Sequence, residues 1–294
     1  MDRPQAFVTN LELRESNPDG TEGVGLSHQA GGMLLLHVLE LAAYGEPRGC
    51  VTVLHDAGDH GGRYEELAHV LAAAGWAIAL PDLRGHGQSE GERGHSWGRN
   101  EVVRDIDAIL DHLAYRMPEE PQVLIGQGLG ALYVLAYCLD RPERVAAAVV
   151  AAPLLTPRFG LPQKKKGLAG MFKKVGPTSP GSIGWRAEAL TTDPAQQSAW
   201  SGDALVHDVI TLRAGQEAAA MAADVVRRAG AITTPVLILQ GTADPLADPA
   251  AAQALGNGAL EVRLFDGLHH DLFHERGAEE VMQAVRDWIG EKVG

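Results

Sequence analysis

Two stretches of this chain concentrate side chains able to move protons or hold cations. His55-Asp56-Ala57-Gly58-Asp59-His60 sets imidazoles and carboxylates side by side, and Gly267-Leu268-His269-His270-Asp271 repeats the mixture near the other end. Imidazole next to carboxylate is the pairing used in general acid–base chemistry, and both groups also suit divalent ions. A metal site drawn from His55, Asp56, Asp59, His60, His269 and His270 is therefore conceivable. No tight ligand motif with two histidines on one helix face supports it, and no metal is expected. Nucleophiles are scarcer. Cys50 and Cys138 fall in apolar runs and read as buried fillers, with spacing that implies neither a zinc site nor a disulfide framework. Ser89, in the glycine-rich run Arg84-Gly85-His86-Gly87-Gln88-Ser89, and Ser96 in the following loop read as turn formers.

The element best shaped to present a reactive group is Val123 to Leu139. Apolar residues run into Gly126-Gln127-Gly128-Leu129-Gly130, and an almost wholly apolar run follows. That pattern is strand, sharp turn, buried helix. The residue at the apex is Gly128, which has no side chain to offer.

Around this stretch, strands are expected at Met33–Leu41, Cys50–Leu54, Trp76–Leu80, Val145–Val150, Pro235–Leu239 and Leu260–Phe265. Helices are expected at Arg63–Ala74, Asn100–Tyr115 and Ala278–Ile289, so the alternation predicts an α/β fold with a mostly parallel, doubly wound sheet. The pattern breaks between Pro153 and Ala231, where lysines, Gly, Pro and Ser precede helix-like segments at Asp193–Trp200 and Leu212–Arg228. The expected organisation is an N-terminal extension (1–31), a core (32–153 and 231–294) and an inserted helical cap (154–230). A net charge of −13 over 294 residues, with a pI near 5.3, argues against nucleic acid or an anionic membrane as a general partner. The start is too polar for a signal peptide and no window is apolar enough to span a bilayer, so a cytoplasmic protein is expected.

Several runs carry a family resemblance. His60-Gly61-Gly62-Arg63-Tyr64, Asp82-Leu83-Arg84-Gly85-His86-Gly87-Gln88-Ser89-Glu90-Gly91, Asp203-Ala204-Leu205-Val206-His207 and Gly241-Thr242-Ala243-Asp244 stand in the order found in the monoacylglycerol lipase and bacterial lysophospholipase (serine aminopeptidase-like) group of α/β-hydrolases. The resemblance covers nearly everything from Met33 onward. It implies a nucleophile elbow at Gly126–Gly130, an orienting acid at Asp244, a catalytic histidine at His270, and oxyanion-hole donors on the backbone N–H groups of Ala57 and Leu129. Three departures cluster there. Gly128 stands where the family has serine, Gln127 where it has histidine, and Asp56 where it has the glycine of a His-Gly loop. The first removes the nucleophile, and the last sets a carboxylate beside the oxyanion hole.

The expected function is therefore a non-catalytic binder of a small apolar or acyl-bearing ligand with no cofactor. One alternative is a hydrolase or lyase using His270–Asp244 as a general base without an acyl-enzyme; another is an interaction scaffold without an open pocket. The cluster Arg158, Lys164, Lys165, Lys166, Lys173 and Lys174, interleaved with Leu161, Leu168, Met171 and Phe172, reads as a solvated loop or as a lid that touches lipid without stable insertion.

Overall fold

The computed structural model describes residues 6–14, 33–163 and 175–294. Lys164–Lys166, Leu168, Met171, Phe172, Lys173 and Lys174 lie outside them. In chain order the elements begin with β1 (Phe7–Arg14), β2 (Met33–Leu41), β3 (Cys50–Leu54), α1 (Glu65–Ala73), β4 (Ala77–Pro81), α2 (Arg99–Arg116), β5 (Gln122–Gln127), α3 (Leu129–Asp140) and β6 (Ala147–Ala151). A less regular stretch follows, with β7 (Pro180–Ser182), α4 (Ala187–Leu190), α5 (Pro194–Gly202), β8 (Val209–Thr211) and α6 (Leu212–Arg228). The chain closes with β9 (Val236–Gly241), α7 (Pro249–Ala254), β10 (Leu260–Phe265) and α8 (Ala278–Val293).

Eight strands form one sheet in the order β1-β2-β4-β3-β5-β6-β9-β10. The strands from β4 to β10 run parallel, and β2 is antiparallel to both of its neighbours. Every residue of β3, β4, β5, β6 and β9 is buried, which is why these strands read as continuous apolar runs rather than alternating ones. Helices cover both faces. Leu132, Leu135 and Tyr137 of α3 pack with Ile106 and Leu110 of α2 and with Met221 and Val225 of α6, while Leu67 and Leu71 of α1 and Val285 and Trp288 of α8 fill the other side.

Within the N-terminal stretch, Phe7–Arg14 is the edge strand among the described residues, paired from Phe7↔Glu40 to Arg14↔Met33. Its pairing is with residues distant in sequence, which local pattern does not report. Between β6 and β9, local chemistry sets the helix starts. Asp193 accepts from Ala195 N at 2.9 Å with Pro194 at the first helical position of α5, and Thr211 accepts from Ala214 N at 3.3 Å at the start of α6. Among the described residues, no helix is long and apolar enough to cross a membrane.

Candidate active site

The turn from β5 into α3 is the pivot of the site. Gly128 has φ 54° and ψ −109°, and its N–H donates to the Ala151 carbonyl at 2.9 Å. An L residue is strained at that φ, so glycine is the natural occupant on backbone grounds alone. Gly130 is demanded by close approach, since a Cβ there would run into the carbonyl oxygens of Leu54 and His55 on β3 and the loop after it. The helix that begins at Leu129 leaves its first N–H groups unpaired by the helix itself and directed at the loop after β3.

That loop supplies what they bind. Asp56 Oδ1 accepts from Ala57 N and from Leu129 N, each at 2.7 Å, and Asp56 Oδ2 lies 3.0 Å from His270 Nε2. A Cβ built on Gly128 would fall inside the same carboxylate. Asp56 therefore fills the space that a side chain at position 128 would take, and it holds both backbone donors as well. The sequence places it beside those donors; the structure puts it on them. His55 fixes the loop. Its Nδ1 donates to the Asp56 carbonyl at 2.7 Å and its Nε2 accepts from Leu83 N at 2.9 Å, with burial pushing its pKa down to about 3.

His270 is fully buried and is held at both ring nitrogens. Its Nδ1 is 2.8 Å from Asp244 Oδ2, opposite the Asp56 contact. Burial disfavours the imidazolium, but the charges and hydrogen bonds of Asp244 and Asp56 outweigh it and raise the pKa to about 10. Asp244 is also desolvated. His270, together with the N–H groups of Leu246 (2.7 Å) and Ala247 (2.9 Å), nevertheless holds its carboxyl below the usual range. Gln240 Nε2 adds a further bond at 2.8 Å. Gln127 donates from Nε2 to the His270 carbonyl at 2.7 Å, which ties the β5 end to the histidine loop. The centre is thus a chain in which one imidazole is hydrogen-bonded between two carboxyl groups.

Apolar walls surround it. Trp185, just before α4, meets the His270 ring edge-on at 5.4 Å between centroids. With Leu190 and Trp200 it bounds a narrow crevice that Asp56 also lines. A larger pocket of about 530 Å³, its mouth included, opens on the far side of Ala57 and Leu129 and is walled by Tyr133, Ile183, Ile210 and Ala214. His95 borders it with Nδ1 bonded to Thr211 Oγ1 at 2.8 Å, leaving Nε2 buried without a partner among the described residues. Neither Trp185 nor His95 stands out in the sequence. Their positions depend on how the segment between β6 and β9 lies over the sheet, for which no local motif exists.

The other candidates are spread apart. Ser89 bridges Asp82 O and His37 N, and Ser96 accepts from Gly98 N, so both shape turns. His60 pairs with Asp203 at 2.9 Å, and His269 bonds to the Glu188 carbonyl. Among the described residues no cluster of histidine, cysteine and carboxylate side chains is arranged to hold a metal ion. Cys50 and Cys138 are buried, and desolvation raises both thiols, to about 11 and about 12.

A mostly parallel sheet with helices on both faces, a tight glycine turn after its central strand and a histidine–acid pair at the strands' C-terminal ends define an α/β-hydrolase fold. The family described as serine aminopeptidase, S33 matches residues 45–277, and the chain belongs to that family. It is 30% identical to a monoacylglycerol lipase of Mycolicibacterium smegmatis, over 83% of this chain and 89% of the relative. It is 28% identical to the monoglyceride lipase of Mus musculus, over 85% and 84%. Among solved structures, the monoacylglycerol lipase of Paleococcus ferrophilus superposes with a TM-score of 0.76 at 29% identity, covering 86% of this chain and 98% of that one.

Proposed function

We propose that this monoacylglycerol lipase-like protein has given up serine ester hydrolysis and keeps a pocket for a small apolar or acyl-bearing ligand, with residues 154–230 acting as its cap. The observation that carries the reading is the position of the Asp56 carboxylate. In a serine hydrolase the nucleophile stands at the elbow, the histidine takes its proton, and two backbone N–H groups receive the developing oxyanion. Here Gly128 offers no hydroxyl, and Asp56 engages the N–H groups of Ala57 and Leu129 and the Nε2 of His270. An ester carbonyl entering this site would meet a filled hole and a negative charge.

Both ring nitrogens of His270 are engaged, by Asp244 and Asp56, and these partners raise its pKa, which weighs against the general-base alternative. The apolar pocket walled by Tyr133, Ile183, Ile210 and Ala214 weighs against a scaffold with a collapsed cleft. The names of the relatives point to acylglycerols, which suits an acyl-bearing ligand. The test pairs two measurements on the purified protein. Turnover of p-nitrophenyl butyrate and of a monoacylglycerol is expected to be at background, while medium-chain alcohols or monoacylglycerols raise the melting temperature in a saturable way. Ester turnover abolished by His270→Ala would defeat the reading.

A further inference from the structure

We propose that residues 203–211 form a lid over the apolar pocket whose middle lifts in mild acid, its latch being the stacked imidazoles of His55, His86 and His207. The device goes beyond the ligand-pocket reading and does not depend on what the pocket holds. The three rings come from three places: the loop after β3, the glycine-rich loop after β4 and the segment that leads into β8. Ring centroids are 5.0 Å apart between His55 and His86 and 4.8 Å apart between His86 and His207. Core and lid therefore meet through a column of imidazoles.

The backbone is shaped to receive this segment. The His207 N–H donates to the Gly58 carbonyl at 2.9 Å, and the Thr211 N–H donates to the Gly94 carbonyl at 3.0 Å. A Cβ on Gly58 would run into the His207 carbonyl oxygen, and one on Gly94 into that of Val209. Both glycines have positive φ, 72° and 62°, so the two crossings are built for close approach. Val209 and Ile210 line the pocket together with His86, Ala57 and Gly58, so lifting the middle of the segment opens its wall.

Hydrogen bonds fix the neutral form of each ring. Nδ1 of His55 donates to the Asp56 carbonyl at 2.7 Å, and Nδ1 of His86 donates to the Arg84 carbonyl at 3.0 Å. His207 is reversed, because its Nδ1 accepts from Val209 N at 3.2 Å. A second proton can reach the His207 ring only at that nitrogen, and a protonated nitrogen cannot accept, so charging the ring breaks the lid's own turn. Burial holds His207 below its ordinary range, His86 well below it and His55 down to about 3. Neighbouring charges act in the same direction. Arg93, whose Nη1 donates to the Gly87 carbonyl at 2.9 Å, opposes a proton on His86 and on His207; His55 and His207 oppose one on His86, and His60 and His207 oppose one on His55. Asp208 favours a proton on His207, but its carboxylate already accepts from Ser182 Oγ and Gly184 N.

The ends of the segment are held by pairs that survive protonation. His60 Nε2 is 2.9 Å from Asp203, a contact that a proton on His60 strengthens. His95 Nδ1 is 2.8 Å from Thr211 Oγ1, and a hydroxyl accepts as readily as it donates, so a proton on His95 leaves that bond in place. The lid is thus pinned at both ends and released between them. Closure keeps the imidazoles neutral, whereas opening returns them to the ordinary value of 6.5, so closure is fully favoured above about 6.5 and weakens as pH falls. One imidazole freed in this way shifts the closing equilibrium by up to about tenfold at pH 5.5.

The test is residue-resolved amide exchange of the full-length protein at pH 7.5 and 5.5, corrected for intrinsic rates. Protection of the His207 and Val209 amides should fall by about three- to tenfold in acid, while Thr211 and the β5 amides stay within about twofold. His207→Asn supplies an acceptor that does not titrate in place of Nδ1, and it should keep both amides protected at either pH. His207→Lys sets a fixed charge against His86 and should lower their protection at pH 7.5 as well, with melting temperature and β5 exchange reporting that the sheet stays folded. Equal protection of the wild type at the two pH values would overturn the latch, as would an acid loss that His207→Asn retains in full.

Discussion

Two histidine–carboxylate clusters lie almost side by side in this molecule, one built from Asp56, His270 and Asp244, the other from Asp59, Arg63, Asp271 and His274. Both are buried, and they share the loops at 55–60 and 269–274. In the second, Arg63 lies 2.9 Å from both Asp59 and Asp271, and His274 Nδ1 is 2.7 Å from Asp271 while its Nε2 bonds to the Arg63 carbonyl. Arg63 and His274 face Asp271 and Asp59, and burial raises the Asp59 carboxyl against the pull of Arg63. Burial opposes ionisation of Asp271, yet His274 and Arg63 hold its carboxyl down at about 2, and Asp271 in turn raises His274. In the first cluster one imidazole lies between two carboxyl groups. The second cluster is held by side chains alone, whereas the first directs two backbone N–H groups at one oxygen of Asp56; Asp59, three residues on, has Arg63 instead.

The largest effect should come from converting the first cluster to ordinary ester chemistry. Asp56→Gly with Gly128→Ser frees both backbone donors and His270 Nε2 and supplies a hydroxyl. Ester turnover should rise by roughly a thousandfold or more over wild type, given what a single oxyanion donor and a nucleophile are worth. Gly128→Ser alone should stay near background because the carboxylate still fills the hole. Assays with p-nitrophenyl butyrate on the four proteins of the cycle check this.

In the second cluster, the sharpest break is Arg63→Ala, which leaves Asp59 and Asp271 buried without their guanidinium. A loss of about 3–5 kcal/mol in unfolding free energy is expected from urea titrations. A small loss, comparable to an exposed ion pair, would mean that the cluster does not hold the two loops together.

The pH dependence of stability separates the clusters further. His270 has a folded pKa of about 10 against an ordinary value of 6.5, so its contribution is complete below about 6.5 and fades as pH rises through 10. Melting temperature should therefore fall between pH 7 and 10, by an amount corresponding to a few kcal/mol, since each pH step of one between the two values is worth roughly 1.4 kcal/mol. His270→Gln should flatten that slope. Asp271, with its pKa lowered to about 2, loses its own share only as pH falls toward 2, but it also raises His274, whose share fades as pH rises, so Asp271→Asn should weaken both limbs where His270→Gln weakens the alkaline one.

Much of the frame is legible in the sequence because the interior strands are buried on both faces. Cys50–Leu54 and Pro235–Leu239 stand out as apolar or β-branched runs, and glycine punctuation locates the turn at 126–130. Phe7–Arg14 does not stand out because its partner among the described residues is β2, reached across residues 15–32. The three-residue strands β7 and β8 are too short to show a period. For the site, spacing and resemblance name Asp56, Gln127, Gly128, Asp244 and His270 as residues to watch. They do not give the orientation of Asp56, because the two donors it engages come from loops more than seventy residues apart in sequence. The Arg63–Asp271 pair spans more than two hundred residues and is equally invisible.

The most direct measurement of the central claim, that the Asp56 carboxylate and a side chain at position 128 compete for one volume, is the stability cycle of wild type, Asp56→Gly, Gly128→Ser and the double variant. Both single changes should destabilise, Gly128→Ser by about 1–3 kcal/mol from overpacking and backbone strain. In the double variant the serine has the vacated space, so it should be more stable than the sum of the two losses allows, with a coupling of about 0.5–3 kcal/mol. Strictly additive losses would show that the two positions do not share that space and would contradict the account.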